Sequence, residues 1–98
     1  MAVVCELHLR ERDQDDAAAL AAQVERRIEA TGSPPEGLMF LCVHPEPGGF
    51  RIMMVFRSAE TARAEVEGPL RADASVVDLE LGEATMAPVW SMAFPGRA

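Results

Sequence analysis

Glu6, His8 and Arg10 are the residues of this chain whose types and spacing can do chemistry. They alternate with Cys5, Leu7 and Leu9 in Val3 to Arg10. A period of two is that of a strand, so carboxylate, imidazole and guanidinium share one face. Such a set can transfer a proton and steady an anion. Histidine titrates near neutrality, which makes His8 the obvious base. The plainer reading is a half-solvated strand face on which Glu6 and Arg10 are merely paired.

Cys5, His8, Cys42 and His44 invite a metal reading. Cys5 and His8 point to opposite faces of one strand, and no dense ligand spacing occurs, so no metal is expected. With a third strand between them, Cys5 and Cys42 would lie about 10 Å apart, too far for a disulfide. Both are read as thiols. No glycine-rich nucleotide motif, serine elbow or paired-carboxylate signature appears.

The elements that must position this face centre on Gly37 to Ala59. Leu38 to Val43 is a continuous apolar run, and Phe50 to Phe56 is broken only by Arg51. Short apolar runs bounded by turn residues suit strands buried on both faces. His44 to Gly49 holds two prolines and two glycines and reads as the connecting loop. Pairing Val43 with Phe50 would put Met39, Leu41 and Val43 on one face with Phe50, Ile52, Met54 and Phe56. Leu38, Phe40, Cys42, Arg51, Met53 and Val55 would take the other.

Ahead of this hairpin, Ala17, Leu20, Ala21, Val24 and Ile28 have the spacing of one helical stripe. Asp13 or Asp15 can cap that helix, and Gly32 with Pro34-Pro35 ends it near Thr31. Asp15 and Asp16 at its start and Arg26 and Arg27 later suit the helix dipole. Ser58 can cap a second helix, interrupted at Gly68-Pro69. Val77, Leu79 and Leu81 alternate with acids and read as a fourth strand. Thr85 to Phe94 reads as a fifth, weakened by Pro88. The order β-α-β-β-α-β with an extra strand is the ferredoxin-like α+β arrangement, an antiparallel sheet with two helices on one face. The other face, carrying Met39, Leu41, Phe50, Ile52, Met54 and Phe56, would be a bare apolar patch. A homodimer joined sheet to sheet is the simplest cover.

The chain has 98 residues, enough for one domain, and is 49% hydrophobic, enough for a core. Nine basic against sixteen acidic residues give a net charge of −7. That argues against a general nucleic-acid surface, which needs a basic footprint. No apolar run approaches a membrane span, and the first residues lack the long apolar stretch of a signal peptide, so a cytoplasmic protein is expected. The absence of Lys, Asn and Tyr beside abundant Ala and Arg fits a GC-rich bacterial genome.

Gly37-Leu38-Met39-Phe40-Leu41, Pro45-Glu46-Pro47-Gly48-Gly49 and the strand Phe50 to Ser58 resemble, without a gap, the central hairpin of the dimeric α+β barrel superfamily. The likeness is to its antibiotic biosynthesis monooxygenase-like members. Glu67-Gly68-Pro69-Leu70 also resembles the second helix of that group. Two positions depart from the pattern: Leu41 stands where it has histidine, and Met54 where it has aspartate. The resemblance implies a single dimeric barrel domain over residues 1–98. It implies action on an aromatic or polyketide-like molecule, without metal or organic cofactor. It places an apolar ligand between sheet and helices, near Leu41, Phe50, Ile52, Met54, Phe56 and Trp90, with His8, Glu6 and Arg10 as catalytic candidates. The apolar Leu41 and Met54 leave open an alternative, a non-catalytic dimeric ligand-binding or accessory domain.

Overall fold

The computed structural model describes residues 1–91. Its elements are β1 (Val3–Arg10), α1 (Gln14–Thr31), β2 (Leu38–Glu46), β3 (Gly49–Phe56), α2 (Ala59–Glu65), a π turn (Val66–Leu70), α3 (Arg71–Val76) and β4 (Thr85–Pro88). The four strands form one antiparallel sheet in the order β2-β3-β1-β4. This is the expected ferredoxin-like α+β arrangement.

Local chemistry sets the helix ends as expected. Asp13 caps α1: its carboxylate accepts from the Asp16 N–H at 3.0 Å, and the Asp16 carboxylate accepts from the Asp13 N–H at 3.3 Å. Gly32 ends α1 at φ +78°, a left-handed conformation that glycine adopts without a Cβ penalty. Ser58 caps α2 through the Thr61 N–H.

Three expectations about the second half are corrected. Gly68-Pro69 does not interrupt the second helix, because a π turn absorbs Pro69 and the path runs on through α3. Proline lacks an N–H and crowds the carbonyl four residues back, and the wider turn relieves both problems. Val77 to Leu81 is no strand. Asp78 takes φ +58°, the Leu79 N–H donates to Ala74 O, and the Asp78 N–H donates to Ser75 O. That is a Schellman stop to α3, with Leu79 folded back over Ala74. Leu79 and Leu81 are buried by an irregular segment, so alternation here reflects packing without a ladder. The last strand spans only Thr85–Pro88, where proline can no longer donate. Met92 to Phe94 of the expected strand lie outside the described residues.

The hairpin register also differs. Both strands run further than the apolar runs suggest, to Glu46 and from Gly49, around a two-residue Pro47-Gly48 turn. Proline presets φ for the first turn position, and Gly48 at φ +82° supplies the positive value of the second. Val43 consequently faces Ile52, not Phe50. A shift of two preserves the faces, with one exception: a bulge between Leu38 and Phe40 puts Leu38 opposite Phe56 and leaves Met39 unpaired.

The largest correction concerns which face is open. Phe50, Ile52, Met54 and Phe56 are at most 2% exposed and lie with Cys5, Leu7 and Leu9 beneath Leu20, Val24, Ala62, Val66 and Leu70. They are the core of the single chain, with no second molecule needed. The cause is parity. Cys5, Leu7 and Leu9 pair with Met54, Ile52 and Phe50, so one face of the central strands is wholly apolar. The helices cover that face, and the polar residues go to the other. Each such fully buried side chain contributes about 1.5–3 kcal/mol.

Gly49 marks the tightest approach in the sheet. A Cβ built there meets the carbonyl of Leu9 on the neighbouring strand. Gly49→Ala is expected to lower stability by about 1–3 kcal/mol or more in urea denaturation, because backbone has to move.

Candidate functional site

The open face is built of cross-strand rows. Phe40, Val55, Val4 and Ala87 form one cross-strand row, and Cys42, Met53, Glu6 and Thr85 form the next. His44, Arg51 and His8 form the third, followed by Glu46, Gly49 and Arg10. The face is therefore apolar at one end and ionic at the other.

The ionic end is a continuous network. His8 Nδ1 lies 2.9 and 3.0 Å from the two carboxylate oxygens of Glu46. Its Nε2 is 3.7 Å from Glu6. Arg51 donates to Glu6 at 3.1 Å and to His44 Nε2 at 2.9 and 2.7 Å. Because His44 Nε2 accepts, its proton sits on Nδ1, which donates to Pro45 O at 3.2 Å. Glu46 likewise holds the His8 proton on Nδ1 and leaves Nε2 as a lone pair, an arrangement that can accept a proton.

Of the three residues singled out on β1, the structure keeps Glu6 and His8 together and leaves out Arg10. Arg10 is exposed at the strand end, with no ion pair among the described residues. Arg51, His44 and Glu46 take its place. The lone charge in β3 was a usable signal for Arg51. His44 and Glu46 look like loop residues in the sequence; the two-residue Pro47-Gly48 turn instead keeps them in β2, with His44 opposite Arg51 and Glu46 opposite Gly49.

This network does not face the residues expected around a ligand. Met54 and Phe56 are at the core on the opposite side of the sheet, 0% exposed. Trp90, beyond β4, is 89% exposed and packs on neither side. Cys5 is also core. Burial pushes its thiol above the usual range and the Glu6 charge adds to this, so it is held as an unreactive thiol. No group of three or more His, Cys, Asp or Glu suited to a metal occurs among the described residues.

Space for a ligand lies on the helix side, where α1 meets the β2 edge. One lobe, about 450 Å³, runs from Asp13 and Gln14 past Ala17 and Ala21 to Val43, His44 and Phe50. A second lobe, about 140 Å³, continues among Leu20, Val24, Ile28, Leu38, Leu41 and Ile52, with Glu25 at its rim. Ala21 and Val43 line both, so the lobes adjoin. Leu41, Phe50 and Ile52 line this cleft. Its combined size falls within the range of small-molecule sites.

One further cluster joins the helices. Arg27 donates through Nε to Asp73 at 2.7 Å and through Nη1 and Nη2 to both oxygens of Glu65. Gln23 adds a donor to Asp73. Glu65 and Asp73 are buried. Arg27 therefore ties α1 to α2 and α3 and does not serve the helix dipole. Burial pushes the Glu65 carboxyl up; Arg27 opposes this, and the Asp73 charge adds to it. Burial works against the charge on Arg27, but its hydrogen bonds to both carboxylates and their negative charges together outweigh this, so Arg27 stays charged.

No protein-family model and no curated protein matches the chain. Solved structures do. A protein from Chloroflexus aurantiacus named "putative Antibiotic biosynthesis monooxygenase" superposes with a TM-score of 0.61 at 18% identity, over 95% of this chain and 98% of that one. Rv0793 from Mycobacterium tuberculosis gives a TM-score of 0.54 at 19% identity, over 95% and 97%. The likeness establishes the fold, a ferredoxin-like α+β sheet with helices on one face. Among the described residues no helix is long and apolar enough to cross a membrane.

Proposed function

We propose that this chain is a monooxygenase-like homodimeric domain that binds an apolar or aromatic small molecule in the cleft between α1 and β2. Binding without catalysis is the reading the geometry favours. The observation that carries it is a separation. The cleft wall is apolar, while the groups able to move a proton, His8, Glu6 and Glu46, lie across the sheet from it. His44 touches the cleft, but both its ring nitrogens are already engaged.

A second reading, oxidation of a quinol- or anthrone-type molecule in the same cleft, is supported by the name of the Chloroflexus neighbour and by its fold. The ligand in that case supplies its own electrons to oxygen. Consumption of such a compound in proportion to enzyme would decide for it.

The test of binding uses Nile red, a neutral fluorophore. Ala21 borders both lobes, so Ala21→Phe fills their junction. Wild-type protein is expected to bind the dye, and the variant is expected to lose roughly tenfold or more in affinity with its circular dichroism unchanged. Equal affinity in the two proteins would place the dye elsewhere and remove the cleft as the site.

The open face is the proposed dimer surface. Phe40 is 43% exposed there, in a row with Val55 and Val4, and two copies can bury this end against each other about a two-fold axis.

A further inference from the structure

We infer that the cleft selects a ligand with a cationic head on an elongated apolar body, and rejects the matching carboxylate; this rests on the small-molecule reading above. The apolar body follows from the lining. The narrower lobe is walled by Val24, Ile28, Leu38 and Leu41 and continues into the wider one along α1. Gln14 and Ile28 lie at its two ends. At 1.5 Å per residue that stretch of helix is about 21 Å long. The shape is a slot.

The charge preference follows from what stands at its rims. Asp13 lines the wider lobe and Glu25 the narrower, and no arginine lines either. Neither carboxylate belongs to a salt bridge among the described residues. The groups that would welcome an anion are partly taken and stand beside carboxylates of their own. The α1 N-terminus, ordinarily attractive to a carboxylate, carries Asp13, Asp15 and Asp16, and two of its N–H groups donate to Asp13 and Asp16. His44 gives its Nδ1 proton to Pro45 O and accepts from Arg51 on Nε2. A ligand carboxylate would find two fixed negative charges and no free cation. An ammonium group would find a carboxylate at whichever end it reached.

The experiment compares decylamine, decanol and decanoate, below their micellar concentrations, as displacers of Nile red from wild-type protein at low salt. Decylamine is expected to displace the dye at about tenfold lower concentration than decanoate, with decanol between them. The gap should shrink at high salt, because both carboxylates are exposed. A net charge of −7 would attract any amine weakly, so a second protein supplies the control. Asp13→Asn together with Glu25→Gln preserves the cap, since asparagine caps as well as aspartate. This double variant is expected to bring amine and carboxylate close to parity. A preference that survives in it would assign the effect to the general field and overturn the inference. Decanoate matching or exceeding decylamine on wild-type protein would also overturn it, while leaving the cleft intact as an apolar site. Failure of all three to displace the dye would remove the cleft reading and the inference together.

Discussion

Arg27→Ala is expected to remove about 3–5 kcal/mol of stability, a large fraction of what a domain of this size possesses. One guanidinium serves two buried carboxylates, Glu65 and Asp73, which come from either side of the π turn. Its loss leaves two negative charges facing each other with only Gln23 as a remaining donor. The deficit lies in stranding these charges, since a buried ion pair is worth little relative to well-packed apolar residues. Urea denaturation at neutral pH measures it. The pH dependence separates this cause from a simple cavity. Burial already raises the Glu65 carboxyl above its ordinary value of 4.5, against the pull of Arg27. The folded state therefore keeps a proton at pH values where the unfolded chain has released it, and stability falls as pH rises through that window. Without Arg27 the window widens upward. The deficit of the variant should thus shrink as the pH is lowered toward the ordinary carboxylate range. A deficit independent of pH would point to lost packing of the arginine stem.

Val55→Glu is expected to weaken self-association by about a hundredfold or more. Val55 lies on the open face of β3, between Phe40 and Val4 in the apolar row, and is 9% exposed in the single chain. In a two-fold, sheet-to-sheet pair a carboxylate there would be desolvated and would approach its own copy. The substitution leaves the helix-side core alone, but Val55 is nearly buried already, so single-chain stability should also fall, and association is compared where circular dichroism shows the variant folded. Sedimentation equilibrium reads the result directly. Wild-type protein running as a single chain at high concentration would remove the dimer, and an unperturbed dimer of the variant would move the interface to another surface.

Much of this fold was legible because its signals are local. The alternation in Val3 to Arg10, the stripe from Ala17 to Ile28, and the caps at Asp13, Gly32 and Ser58 each depend on a few neighbouring residues. The element order followed from these. Two local signals misled. Alternation in Val77 to Leu81 reported burial of Leu79 and Leu81, which an irregular segment achieves as well as a strand. Gly68-Pro69 looked like a break, yet a single π turn restores the helix path.

The site was less legible because it depends on pairing. The period of a strand put Glu6 and His8 on one face, and the family resemblance suggested Leu41, Phe50 and Ile52 as apolar walls. The period could not say which face the helices cover. A strand pair with two apolar faces is nearly symmetric to a local reading, and the choice is made by β1, whose Cys5, Leu7 and Leu9 join one side only. The same pairing brought Arg51 and Glu46 to Glu6 and His8 across some 40 residues of chain, and the packing of helices brought Arg27 to Glu65 and Asp73. Periodicity fixes the direction of a side chain relative to its own backbone. Only the packing of distant segments fixes what that side chain meets, because burial free energy belongs to the assembled core and to no segment by itself.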